Sequence, residues 1–234
     1  MKPNKQIARL AGLLYLIIVI FGIIYLRYAP SKLIVYGDGA ATFKNIIASE
    51  PLFRLGILSK IICGIFFLLL VVVLYSLLKE VNKTQGLLMV LFVVVSVSLG
   101  FINLSNKFTV LNFISKVGQP GSVATEEIQS QVLKYLDFYN NGNFIGEIFW
   151  GLWLFPFGYL VFKSGFLPKV LGIFLMAGCL GYLADFVGNF LVPHFNEITI
   201  ANYVTLPASI GEIGICLWLL IMGAKDRKQR LALS

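Results

Sequence analysis

Three carboxylates stand inside long apolar stretches of this 234-residue chain: Glu147 in FIGEIFWGL, Asp185 in LGYLADFVG and Glu212 in SIGEIGICL. An ionisable group among Leu, Ile and Phe is expensive to keep, and at membrane depth it tends to mark a site. A carboxylate held there can exchange a proton, hold a cation or pair with a base. Lys60 and Lys107 are the bases within reach of apolar segments, and Asn103, Asn106, Asn143 and Asn189 supply amides. Residues four apart share a helix face, and small residues mark close helix contacts in membranes. Asp185 continues the row Ala177, Gly181 and leads to Asn189; Glu147 lies between Asn143 and Gly151; Glu212 lies between Ala208 and Cys216; Lys60 precedes Gly64 by four. The spacing therefore predicts a polar cluster inside a bundle. Its ligand- or ion-binding candidates are Glu147, Asp185, Glu212, Lys60, Asn103, Lys107, Asn143 and Asn189, and none is nominated as catalytic.

Other chemistries find little support. The one histidine, His194, sits in a connection, so a metal hydrolase lacks ligands and no metal or cofactor is expected. Ser59, Ser96, Ser98 and Ser209 have no histidine beside them in sequence to act as base. No phosphate-binding loop of the G-x-x-x-x-G-K type occurs. Cys63, Cys179 and Cys216 each lie in an apolar run without metal or disulfide spacing. The formal net charge of +8 comes from lysines and arginines scattered through short turns and tails, not from one stripe, which argues against nucleic acid.

The elements that must position the polar residues follow from composition. Apolar residues make up 58% and charged residues 13%, and mean hydropathy is +0.86, values that place the chain among integral membrane proteins. About 20 apolar residues in a helix cover a hydrocarbon core of about 30 Å. Six runs meet that need, at about 10–26, 56–78, 87–104, 144–162, 167–191 and 203–222. The expectation is an all-α, six-span bundle forming a single integral membrane domain over 1–234. The fourth and fifth runs, joined by Lys163-Ser-Gly-Phe-Leu-Pro-Lys169, read as a transmembrane hairpin. The first run, after Lys2, Lys5 and Arg9 and flanked by Tyr25 and Tyr28, reads as a retained helix, since no A-x-A cleavage site follows.

Between the runs, Asp38 suits the cap of an amphipathic helix over Ala40 to Ala48, with Phe43, Ile46 and Ile47 on one side. Ser49-Glu-Pro51 starts the second span, and Thr84-Gln85-Gly86 forms the turn into the third. In the connection from Ser105 to Asn143, a Gly118-Gln-Pro-Gly121 turn precedes a helix capped by Thr125. Ile128, Val132, Leu136 and Tyr139 recur along it at helical spacing, and Asn140-Asn-Gly-Asn143 breaks it before the fourth span. Asn103, Asn106 and Lys107 are expected to close the outer end of the third span, and Lys60 to lie just inside the outer end of the second. A short link holding His194 and Glu197 leads to the sixth. Trp150, Trp153 and Trp218 read as interfacial or packing aromatics.

Orientation follows from the short loops, whose Lys and Arg favour the cytoplasm. The N-terminal tail, Lys79 and Lys83, Lys163 and Lys169, and the tail Lys225 to Arg230 fall on one side. Both termini are then cytoplasmic, the first and third connections external, and the location is the plasma membrane. The segments ARLAGLLYLI, NIIASEPLFRLGIL, the hairpin with SGFLPKVLG, and IGEIGICLWLLIMG together resemble the domain-of-unknown-function family numbered 4386. The resemblance spans nearly the whole chain and implies a bacterial or archaeal multi-pass membrane protein. It carries over no activity, cofactor or site residue.

Three readings stay open. The polar cluster binds a small molecule, lipid headgroup or ion in a transport or sensing role; or the protein is structural or accessory and the acids only lock the bundle; or a membrane enzyme uses Glu147, Asp185 or Glu212 as acid or base. The bilayer is the expected partner, and an oligomer is compatible with the sequence.

Overall fold

The computed structural model describes residues 5–118, 125–195, 198 and 201–224. Lys2, the residues of the expected turn beyond Gly118, Glu197 and the basic tail from Lys225 lie outside them. Among the described residues the regular structure is all helical, with turns between the helices and without a strand. In order the helices are α1 Lys5–Ile23, α2 Ala29–Leu33, α3 Gly39–Ala48, α4 Glu50–Leu78, α5 Lys83–Ile114, α6 Thr125–Leu152, α7 Leu154–Ser164, α8 Lys169–Leu191, α9 Ala201–Val204 and α10 Leu206–Ile221. A wider π-helical turn, Ile24–Tyr28, carries α1 into α2. Among the described residues, five helical stretches are long and apolar enough to cross a membrane: Lys5–Leu33, Glu50–Leu78, Lys83–Ile114, Thr125–Ser164 and Lys169–Leu191. With 16 residues, α10 is shorter, about 24 Å at 1.5 Å per residue.

The chain divides into two compact units, one of Met1–Ile17, Phe66–Val97 and Ile145–Ser234, the other of Ile18–Ile65 and Ser98–Phe144. In the first unit, α7 and α8 form the hairpin read from the sequence. Its turn is made by Gly165 at φ +73°, a left-handed position that only glycine adopts freely. The Ser164 hydroxyl donates to the Val161 carbonyl at 2.8 Å and accepts from the Leu167 amide at 3.2 Å. The two helices then approach backbone to backbone: a Cβ on Gly158 would lie 2.6 Å from the Gly172 carbonyl oxygen. Close approach of this kind replaces the hydrophobic drive that lipid removes.

Within the same unit α1 and α10 run antiparallel. Arg9 donates to the Ile221 carbonyl at 3.2 Å, Gly12 meets the backbone at Leu219 and Leu220, and Tyr15 reaches Glu212. Trp153 is 2% exposed. It stacks on Phe157 at 5.2 Å and meets Phe67 edge-on at 4.9 Å, so this tryptophan is a core residue and not an interfacial one.

The second unit has its own core, in which Phe43 and Ile46 of α3 and Phe53 and Ile57 of α4 pack with Leu104 and Val110 of α5 and Ile128, Val132 and Leu136 of α6. The amphipathic helix over 39–48 is present as expected, and Asp38 Oδ1 accepts from the Ala41 amide at 2.8 Å. Its apolar side is narrower than the sequence suggests, because Ile47 is 36% exposed. Thr42 closes the turn before it, accepting from the Val35 amide at 2.9 Å. Asp38→Ala should lower stability by about 0.5–1 kcal/mol, the worth of a lost N-cap. The check is faster limited proteolysis between α2 and α3, with the melting temperature moving little.

Several boundaries differ from the sequence expectation, each for a local reason. Asn82 Oδ1 accepts from the Gln85 amide at 3.0 Å, so α5 begins at Lys83 and Thr84-Gln85-Gly86 is already helical. The same helix runs ten residues past Leu104, to Ile114, so Asn103, Asn106 and Lys107 lie along it and do not close its end. Lys60 likewise lies ten residues into α4, which starts at Glu50. Asn140-Asn-Gly-Asn143 does not break α6, which continues to Leu152. Gly142 and Asn143 instead face α5, where Gly142 packs directly on the Asn103 side chain. That close approach outweighs the weak helix propensity of Asn and Gly.

Candidate functional site

The eight polar candidates fall into two groups, one in each unit. In the first unit Glu212 projects from α10 between Ala208 and Cys216, both buried, as the four-residue spacing requires. Its Oε1 accepts a 2.9 Å hydrogen bond from the Tyr15 hydroxyl of α1. On α8, Tyr182 stands three residues before Asp185, and its Cβ lies against Gly151 of α6, one turn beyond Glu147. Asp185 has Asn189 one turn on, whose Nδ2 donates to the Asp185 carbonyl at 2.9 Å and to its Oδ1 at 3.3 Å. The expected row from Gly181 through Asp185 to Asn189 is thus in place, although Asn189 is exposed and not buried. This group is a set of acids with phenols.

The second unit collects Lys60, Asn103, Lys107 and Asn143 from α4, α5 and α6. Asn103 is the joint. Its Nδ2 donates to the Tyr139 carbonyl at 2.8 Å and to Asn143 Oδ1 at 3.3 Å, while its Oδ1 accepts from Asn106 at 3.0 Å. Both lysines lie against aromatic rings. Lys60, 9% exposed, donates to the Tyr25 hydroxyl at 3.3 Å and holds its ammonium 4.6 Å from that ring's centre. The Lys107 ammonium lies 4.1 Å from the centre of the Tyr139 ring and 5.6 Å from that of Phe53. Such cation–π contacts favour a desolvated ammonium by about 2 kcal/mol or more. Chemically this group offers positive charge and N–H donors.

The tyrosines are what sequence reasoning missed. Tyr25, expected to flank the first span, is buried at the π-helical turn that offsets the end of α1. Tyr15 was legible in retrospect, seven residues after Ala8 and three after Gly12 on the small-residue face of α1. Tyr139 was read only as part of an apolar stripe, although Asn143 stands four residues on.

Long apolar helices with polar side chains gathered between them define a membrane-embedded helical protein. The family described as Domain of unknown function (DUF4386) matches residues 10–223, and the chain belongs to that family. It is also similar to an "Uncharacterized protein" of Archaeoglobus fulgidus, 30% identical over 171 residues that cover 70% of this chain and 84% of the relative. No solved structure matches.

Proposed function

We propose that the chain is a six-span protein of the plasma membrane, a single integral domain over 1–234 with both termini in the cytoplasm. We further propose that polar side chains in its outer half bind a small molecule, lipid headgroup or ion, in a transport or sensing role. The topology is supported by the antiparallel seam of α1 and α10, which brings Arg9 beside Ile221. It is also supported by the basic turns around Lys79 and Lys163 expected at that same end.

The observation that carries the binding reading is the convergence of Lys60, Lys107 and the Asn103 amide web from three helices distant in sequence. Buried charged groups lower stability relative to apolar packing and persist where they act. The experiment is a melting-temperature screen in neutral-lipid nanodiscs against anionic, cationic and neutral small molecules. A ligand that binds the native state raises the melting temperature. At least one class should do so, and Lys107→Met should abolish the rise. A flat response from every class would sink the reading.

The structural or accessory reading is favoured at one place. Glu212 is satisfied inside the fold by Tyr15, which is what a locking group requires.

A further inference from the structure

We infer that the second unit holds a site for one oxyanion, a phosphate or carboxylate group, between the ammonium groups of Lys60 and Lys107. The inference rests on the binding reading above and names its ligand class. Geometry sets the two cations along one face of α5. A Cβ built on Gly100 would lie 3.4 Å from Lys60 Cε and 3.7 Å from its Nζ, so the Lys60 head lies against the helix at that glycine. Lys107 is seven residues on, two turns along the same face and about 10.5 Å away at the backbone. Each side chain is several ångströms long, and Asn103, which ties α5 to α6, stands between the two levels of α5 that they occupy.

Two like charges held together away from bulk water repel, and an anion between them relieves both. The acids of this unit are placed elsewhere. Asp38 caps α3, Glu50 pairs with Arg54 at 2.7 Å, and Glu126, Glu127 and Asp137 are exposed. The interior charge of the unit is therefore positive, which disfavours a cationic ligand. Ring faces hold an ammonium without using up its three N–H donors. The Lys107 ammonium, over Tyr139 and Phe53, keeps donors for an oxygen ligand. Lysine acts as a compact point charge toward phosphate and carboxylate, without the two-pronged geometry an arginine would impose. The amide web fixes the spacing, because Asn103 ties α5 to α6 between the two lysines.

The test measures the melting temperature of the full chain in phosphatidylcholine nanodiscs, with four additions: inorganic phosphate, acetate, tetramethylammonium chloride or glycerol. A further arm replaces part of the lipid with phosphatidylglycerol. The expected result is a rise of several degrees with phosphate, acetate or phosphatidylglycerol, and none with tetramethylammonium or glycerol. A rise with phosphate or acetate in neutral lipid assigns a free anion, and one confined to phosphatidylglycerol assigns a headgroup. Lys107→Gln should remove the rise, and Lys107→Arg should retain at least part of it. Because the wild-type probe panel decides by itself, a variant that fails to fold leaves the test intact. A rise with glycerol or tetramethylammonium alone would overturn the anion and leave a binding site standing. No rise in any arm would overturn both, and a phosphate rise that persists in a folded Lys107→Gln protein would overturn the site between the two lysines.

Discussion

Gly12→Leu is expected to lower the melting temperature more than any other single change in α1, with much of the protein failing to fold. A Cβ at Gly12 would meet the Leu220 amide nitrogen, lie 2.6 Å from the Leu220 Cα and 2.7 Å from the Leu219 carbonyl carbon. These are backbone atoms, which cannot rotate aside as a side chain can. Overpacking of a well-packed site costs about 1–3 kcal/mol. Here α1 must also move off α10, pulling Tyr15 from Glu212 and Arg9 from Ile221. Stranding a buried acceptor adds about 1–3 kcal/mol. Gly22→Leu, ten residues along α1, is the internal control, since nothing lies within 4 Å of a Cβ there. It should stay within about 0.5 kcal/mol of the parent. Melting curves of both variants in the same nanodisc make the check. Equal melting would mean that the α1–α10 seam is wrong.

The Gly12 and Gly22 pair also shows what was legible in the chain and what was not. In sequence both are glycines in an apolar helix. Only the Ala8, Ala11, Gly12 spacing hints that one of them faces a neighbour. The hairpin of α7 and α8 was readable because everything that makes it is local: two apolar runs, a Gly in the left-handed region and a Pro before the next helix. The all-helical class followed from composition for a similar reason, since the lipid-buried backbone must satisfy itself within helices or closed barrels. The amphipathic stripe Ile128, Val132, Leu136 came through intact because periodicity is a property of one element alone.

What failed were the places where one helix decides the fate of another. Asn140 to Asn143 carries weak helix formers, yet Gly142 is the point where the Asn103 side chain packs, and the contact keeps α6 continuous. Sequence alone makes Asn103 and Lys107 look like end groups, because polar residues commonly end a span. Tyr139 and Asn143, the partners of Asn103, lie 36 and 40 positions away in sequence, and Lys107 rests on the same Tyr139 ring. The grouping of candidates was half legible for the same reason. Spacing put each acid on a small-residue face. It had no means of telling that acids and phenols gather in one unit and lysines and amides in the other.

Tyr15→Phe is expected to destabilise the protein by about 1–3 kcal/mol, because it leaves the Glu212 carboxylate without its hydroxyl donor. Glu212→Gln should change stability far less, since an amide oxygen still accepts from Tyr15. The double variant Tyr15→Phe/Glu212→Leu should cost less than the sum of its singles, because the second change removes the stranded acceptor. Asp185→Asn and Glu147→Gln should leave the melting temperature unchanged or raise it. Asp185 is bonded within its own helix by Asn189, at an exposed position. Glu147 is a half-buried carboxylate inside an apolar helix, so replacing it with a neutral amide removes a desolvation cost. The ordering of the four singles then separates two roles within one group of acids: Glu212 as a lock between α1 and α10, and Glu147 with Asp185 as groups the fold carries at its own expense. A loss of stability in Asp185→Asn or Glu147→Gln as large as that in Tyr15→Phe would make all three acids structural. The search for a ligand would then belong to the lysines of the second unit alone.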